Sequence, residues 1–259
     1  MAATYLDNIL AFHRERASRD ERSVVALIEQ AQKCAPVRGF ASQIRACSTL
    51  AVIAEIKRKS PSKGALNAEL DPASMAKAYE LGGASCLSVL TDEPHFAGSV
   101  SDLQAAREAC SLPVLRKDFT VDARDVCDAR LMGADCVLLI AAALTQSELN
   151  EFLVVSRAIG IDVLVEIHDE VELDRAMAAG ATMVGVNQRD LVTFAVDHDR
   201  AVRMGALISA DVVKIAESGV RGRVDAQSLR DAGYDAVLVG EHLVTASDPA
   251  RALRDLLVE

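Results

Sequence analysis

The chain has 259 residues, 51% of them hydrophobic and 3% aromatic, with no Trp and a formal net charge of −10. That charge argues against sequence-independent nucleic-acid binding, and so few aromatics leave little to stack on bases. No apolar run is long enough to cross a bilayer, and residues 1–22 mix apolar with charged side chains instead of forming a secretory signal, so cytoplasm is the expected location.

Residues 1–48 carry apolar stripes at helical spacing, with Leu6, Ile9 and Leu10, then Val24, Val25, Leu27 and Ile28. They read as a helical extension packed on the body of the protein, a lid over part of it rather than a solvated tail. From residue 50 onward, short apolar runs alternate with helical stretches. The runs lie at 50–56, 86–90, 113–116, 136–140, 162–166, 183–186, 212–216 and 236–239. The helices fall near 72–82, 99–110, 122–132, 145–158, 169–179, 198–208, 222–232 and 248–257. Asp71-Pro72 supplies a cap and a first-turn proline, and TQSE at 145–148 a capping box.

An internal echo sets the architecture. Gly83, Gly133, Gly180 and Gly233 each end a helix just before an apolar run, roughly 50 residues apart, the length of two strand-plus-helix units. The runs are continuously apolar, as strands covered on both faces are. Eight such alternations predict an α/β fold, a closed (β/α)8 TIM barrel, with residues 1–259 forming one domain. An open doubly wound sheet is the competitor, but no G-x-G-x-x-G follows the first run.

Several runs end in residues that move protons or bind anions. Glu55 and Lys57 close the first, Lys117 the third, Glu166 the fifth, Asn187 the sixth, and Glu217 with Ser218 the seventh. Ionised groups are costly beside a core, but make sense if the carboxyl ends of the strands share one pocket. Residues two apart on a strand share a face, so Glu55 and Lys57 point together, and each polar residue caps an apolar column. One such end alone could be a plain ion pair. Five converging make proton-transfer chemistry the better reading. Ser218-Gly219 after the seventh run and Gly240-Glu241 after the eighth resemble a phosphate cup closed by Ser60, at the place where phosphates bind in this fold. Lys57, Arg58, Lys59, Lys63, Arg116 and Lys117 are expected around the mouth, drawing in an anionic substrate.

The five histidines show no ligand spacing, and of two readings of His168, two residues past Glu166, at the pocket or in a surface loop, the loop is preferred. The six cysteines, at 34, 47, 86, 110, 127 and 136, form no C-x-x-C pair. The expectation is therefore catalysis by side chains alone, with no metal and no cofactor.

The motifs AEIKRKSP at 54–61, PVLRKDF at 113–119, VEIH at 165–168, GVNQRDL at 185–191, AESGV at 216–220 and VLVGE at 237–241 resemble the indole-3-glycerol phosphate synthases of tryptophan biosynthesis, over nearly the whole chain. The resemblance implies a lyase that closes, decarboxylates and dehydrates 1-(2-carboxyphenylamino)-1-deoxyribulose 5-phosphate. Lys117 would be the general acid and Glu166 would exchange protons in the dehydration. Lys57 would hold the substrate carboxylate or act as a second acid, with Glu55 orienting the lysines. Asn187 would bind sugar hydroxyls, Arg189 the carboxylate, and Glu217 with Ser218 would complete the pocket. Phe119 and Leu238 would flank the aromatic ring, and Ser60, Gly219, Gly240 and Glu241 would hold the phosphate. A neighbouring cation is expected to lower the acting lysine's pKa. Many relatives carry Asn where this chain has Gln188, and Ser where it has His242. The implied partner is a phosphorylated small molecule, with no nucleic acid and no membrane, the chain acting as a monomer or weak homodimer. Other readings are phosphoribosylanthranilate isomerase, a Schiff-base aldolase through Lys117 or Lys57, and a non-catalytic barrel that binds a phosphorylated metabolite.

Overall fold

Apolar runs of four to seven residues bounded by polar turns are too short for stable helices and suit strands buried on both faces. In the computed structural model, which describes residues 4–60 and 63–259, all eight runs are strands. They are β1 (Ala51–Ile56), β2 (Cys86–Leu90), β3 (Val114–Lys117), β4 (Cys136–Ile140), β5 (Asp162–Ile167), β6 (Met183–Asn187), β7 (Val213–Glu217) and β8 (Ala236–Val239). Each pairs in parallel with the next, and β8 returns to β1, closing an eight-stranded barrel.

Alternation along the strands sorts the apolar side chains into two cores. Ile53, Leu115, Leu138, Leu164, Ile215 and Leu238 point inward and fill the barrel. Val52, Leu87, Val137, Val165, Val184 and Val237 point outward under the helices. Both layers are almost wholly buried, which explains the absence of a polar beat in the sequence.

Three helices precede the barrel: α1 (Tyr5–Ser18), α2 (Val24–Ala31) and α3 (Phe40–Arg45). The expected lid is only the first of them. Helix α1 lies across the carboxyl ends of the strands, where Arg14 donates to Glu148 at 2.8 Å and to the Ala143 carbonyl at 3.0 Å, and His13 meets Asp92. Leu27 and Ala31 of α2 join the outer core. Helix α3 plugs the opposite end. Its Phe40 and Ile44 are buried in the inner core, and the Ala41 amide donates to Asp162 at the start of β5, at 2.9 Å.

The barrel helices are α4 (Pro72–Gly82), α5 (Glu93–Phe96), α6 (Val100–Ala109), α7 (Ala123–Leu131), α8 (Gln146–Ile159), α9 (Glu170–Ala178), α10 (His198–Gly205), α11 (Arg223–Asp231), α12 (Glu241–Val244) and α13 (Pro249–Arg254). The capping signals act as read: Asp71 accepts from the Ser74 amide, and Thr145 and Glu148 form a reciprocal box. The four echoed glycines have φ of 94°, 101°, 81° and 85°, the left-handed backbone that ends a helix without a Cβ clash. The one-turn helix α5 and a short hairpin of Lys59–Ser60 with Gly64–Ala65 carry no periodicity in the sequence. No helix among the described residues is long and apolar enough to cross a membrane.

Candidate active site

Parallel strands in a barrel all end on one side, so their last inward-facing residues converge there. A cavity of about 580 Å³ opens at that end. Its wall includes Glu55, Lys57, Lys117, Glu166, Asn187, Glu217 and Ser218, and also Ser60, Phe119, Arg189, Gly219, Leu238, Gly240 and Glu241. Every residue singled out from the sequence as catalytic or binding thus stands around one space. Pro61, the last residue of the first motif, lies outside the described residues.

At the centre, Lys117 Nζ lies 3.3 Å from Glu166 Oε2 and 3.4 Å from Glu217 Oε2. Asn187 donates from Nδ2 to Glu166 Oε1 at 3.0 Å, and its own Oδ1 accepts from the Arg189 amide at 3.0 Å. Glu55 pairs with Lys57, while its other oxygen accepts from Ser88 Oγ at 3.5 Å. Two glycines make room for these carboxylates. A methyl on Gly185 would overlap Glu217 Oε1, and one on Gly240 would overlap Glu55 Oε1.

The titration of the trio departs from the expectation. Burial works against the charge of Lys117, but Glu166, Glu217 and Glu55 outweigh it and hold the ammonium well above the usual lysine range. The groups nearest both lysines are carboxylates, not the lysine-lowering cation foreseen from the sequence. Burial likewise opposes ionisation of Glu166, yet Lys117, His168 and the Asn187 amide together hold it below the usual glutamate range. Glu217 goes the other way, to about 8, pushed up by burial and by Glu166 beyond what Lys117 offsets. Its Oε1 is buried without a hydrogen-bond partner. Around Lys117 the site at neutral pH is therefore an ammonium set between Glu166, held ionised, and Glu217, held toward its protonated form.

The loop after β7 turns sharply, with Ser218 at φ 67° and Gly219 at φ 76°, and faces Gly240 and Glu241 across the cavity. Ser218 is one of three non-glycine residues with positive φ among those described. Such strain persists where the surroundings over-determine it, and it clusters at ligand clamps. Ser60 sits opposite, its Oγ accepting from the Lys63 amide at 3.2 Å.

Part of the basic patch is elsewhere. Arg58 is held by Asp102 and the Leu70 carbonyl, away from the cavity. Arg116 points out of the barrel because its neighbour Lys117 points in, and it donates to Asp118 at 2.9 Å in the layer beneath the helices. Lys59 is exposed and off the cavity wall. Lys57, Lys63, Lys117, Arg189 and Arg221 supply the positive charge instead. His168 is no surface-loop residue either. Its side chain is 13% exposed, with Nδ1 3.0 Å from Glu172 and Nε2 3.6 Å from Glu166.

Beyond Phe119, Leu238 and the stripe residues Leu6 and Ile9, the apolar half of the wall carries no motif in the sequence. Tyr5, Leu6 and Ile9 of α1, with Phe96 and Phe194, close over the opening; the rings of Tyr5 and Phe194 meet edge-on at 5.7 Å. One signal was available: of only six Phe and three Tyr in the chain, Tyr5, Phe96, Phe119 and Phe194 share this wall. Beside the cavity, the fold also unites two histidines that no spacing rule connected. His13 Nε2 and His95 Nδ1 lie 3.4 and 2.8 Å from Asp92 Oδ2, a cluster able to surround a metal ion. The close His95 contact is local, to the N-cap of α5, whereas the His13 contact with the same Asp92 ties α1 to the barrel.

The comparisons agree with this geometry. The family model for indole-3-glycerol phosphate synthase matches residues 6–256. The chain is 47% identical over 258 residues to an indole-3-glycerol phosphate synthase of Mycolicibacterium vanbaalenii, covering 99% of this chain and 94% of the relative. It is 48% identical over 244 residues to indole-3-glycerol phosphate synthase 2 of Streptomyces coelicolor, covering 94% and 93%. Among solved structures, a 3-hexulose-6-phosphate synthase superposes with a TM-score of 0.64 at 17% identity, over 80% of this chain and 98% of the other; that likeness shows the barrel alone. With motif, barrel and near-full-length relatives in agreement, the chain belongs to the indole-3-glycerol phosphate synthase family.

Proposed function

We propose that the whole chain, extension and barrel together, converts 1-(2-carboxyphenylamino)-1-deoxyribulose 5-phosphate into indole-3-glycerol phosphate, carbon dioxide and water. The carboxylate-bearing ring carbon attacks the ketone carbon of the sugar chain, and Lys117 protonates the ketone oxygen as it becomes a hydroxyl. The bond to the carboxylate then breaks, and its electron pair restores the aromatic ring. The hydroxyl leaves as water on taking a proton from Glu217, while Glu166 removes the proton that lets the five-membered ring become an indole.

The observation that carries this reading is the position of Lys117, charged and within 3.4 Å of both Glu166 and Glu217. The ammonium there carries a proton at neutral pH that the ketone oxygen, strongly basic once attacked, can take, and a neighbouring carboxylate and carboxyl can take and give protons in later steps. An imine route through Lys117 would need a neutral amine, which three carboxylates disfavour. In this reading Lys57 and Arg189 hold the substrate carboxylate, and Glu55 orients Lys57. Asn187 holds the sugar hydroxyls, and Phe119 and Leu238 flank the ring. Ser60, Ser218, Gly219, Gly240 and Glu241 form the phosphate cup. Anchoring both ends folds a flexible substrate into attack geometry. The enzyme acts in the cytoplasm as a monomer or weak homodimer.

The test follows indole fluorescence as product appears from the anilino-ribulose phosphate. Product formed by the unmodified chain, and lost in Lys117→Met, supports the assignment. Substrate binding without turnover would overturn it in favour of a non-catalytic barrel.

A further inference from the structure

Glu166 and His168 are two residues apart at the end of β5, so their side chains leave the chain on the same side. The chain then turns into α9, capped by Asp169. Glu172, in the first turn of that helix, reaches back over the turn. Its Oε2 accepts from the His168 backbone amide at 2.8 Å and faces the ring Nδ1 at 3.0 Å. The double contact sets the tautomer: Nδ1 carries the hydrogen that Glu172 accepts. Nε2 is left pointing at Glu166 Oε1 across 3.6 Å, buried and with no hydrogen-bond partner.

An unprotonated Nε2 would set its lone pair against a carboxylate oxygen inside the protein. A proton on Nε2 turns the same contact into attraction between an imidazolium and a carboxylate. The surrounding groups favour the second state. Burial opposes the charge of His168, and Arg200 of α10 adds to that, but Glu172 and Glu166 outweigh both and raise its pKa. Glu166 in turn faces Lys117 from β3, the Asn187 amide from β6, Glu217 from β7, and His168. Lys117 is the partner that chemistry removes: in the reading above it turns to the substrate oxygen. Glu166 then needs another counter-charge if it is to stay ionised until it takes its proton.

We propose that His168, clamped by Glu172, is a positioning residue that keeps Glu166 an ionised carboxylate aimed at the substrate while Lys117 is engaged there. The inference rests on the activity proposed above. His168 touches no substrate in it; it acts through Glu166.

The test is the pH profile of kcat for indole formation in the unmodified chain, His168→Gln and Glu172→Gln. Removing the positive charge raises the pKa of Glu166, so the acid limb shifts upward by about 0.5–1 pH unit in His168→Gln, and in the same direction in Glu172→Gln. His168→Gln then loses about tenfold in kcat on the acid limb and about threefold on the plateau. A structural role would instead scale kcat equally at every pH, and folded variants showing that pattern would overturn the proposal. An activity-independent reading comes from the imidazole nitrogen resonances. They should show His168 protonated at neutral pH in the unmodified chain and less so in Glu172→Gln, and a neutral ring in the unmodified chain would likewise overturn it. A chain that makes no indole at any pH fails at the level of the activity itself, a result distinct from a normal rate with an unshifted limb.

Discussion

Gly185→Ala separates the needs of the fold from those of the site. Gly185 pairs with Glu166 in β5 on one side and with Ile215 in β7 on the other. Its backbone is extended, so alanine meets no dihedral penalty there. The added methyl would overlap Glu217 Oε1 and stand 3.1 Å from both Glu217 Cδ and Leu164 Cδ1. Leu164 can yield a few tenths of an ångström, and the tip of Glu217 can swing into the cavity. Stability should therefore fall by only about 1–2 kcal/mol, as for modest overpacking. Relieving the overlap moves the carboxyl by about 1 Å, enough to lower kcat roughly 100-fold. The assays are indole fluorescence under saturating substrate and a denaturant titration of the same preparation. A variant with kcat within twofold of the parent would refute the placement of Glu217 in the chemistry. One that fails to fold would refute the view that the carboxyl tip gives way.

Lys117→Met and Glu166→Gln should each lower kcat by at least about 100-fold while the chain still folds, read by indole formation and circular dichroism. Lys57→Ala should raise KM about tenfold or more by loosening the substrate carboxylate, whereas Lys59→Ala, exposed and off the cavity wall, should stay within about twofold. Glu217 also makes stability pH-dependent. Its folded pKa is raised to about 8, so the native state holds a proton that the unfolded chain has already released. That contribution is complete at acidic pH and is lost as pH rises from the ordinary glutamate range to about 8. Glu217→Gln removes it, so its denaturation midpoint relative to the parent should climb between about pH 4.5 and about pH 8, and a flat difference would contradict the shift.

The barrel was legible because its signals are local. Gly83, Gly133, Gly180 and Gly233 end helices through their own backbone freedom, and Asp71 and Thr145 cap helices through atoms three residues away. The polar strand ends were legible for a related reason. In a parallel barrel every strand finishes on the same rim, so Glu55, Lys117, Glu166, Asn187 and Glu217 converge wherever strand order is right.

What sequence spacing could not carry is the identity of long-range neighbours. Lys117 has its pKa raised because β5 and β7 bring Glu166 and Glu217 to it, residues 49 and 100 positions away along the chain. Arg116 and Lys117 are adjacent and equally basic in the sequence, yet strand alternation sends one under the helices and the other into the site. His168 reads as a loop residue until α9 folds Glu172 back onto it, and His13 meets Asp92 only once α1 crosses the rim. Local hydrogen bonding and apolar patterning suffice to build the elements, whereas charge states depend on distances that exist only after the barrel has closed.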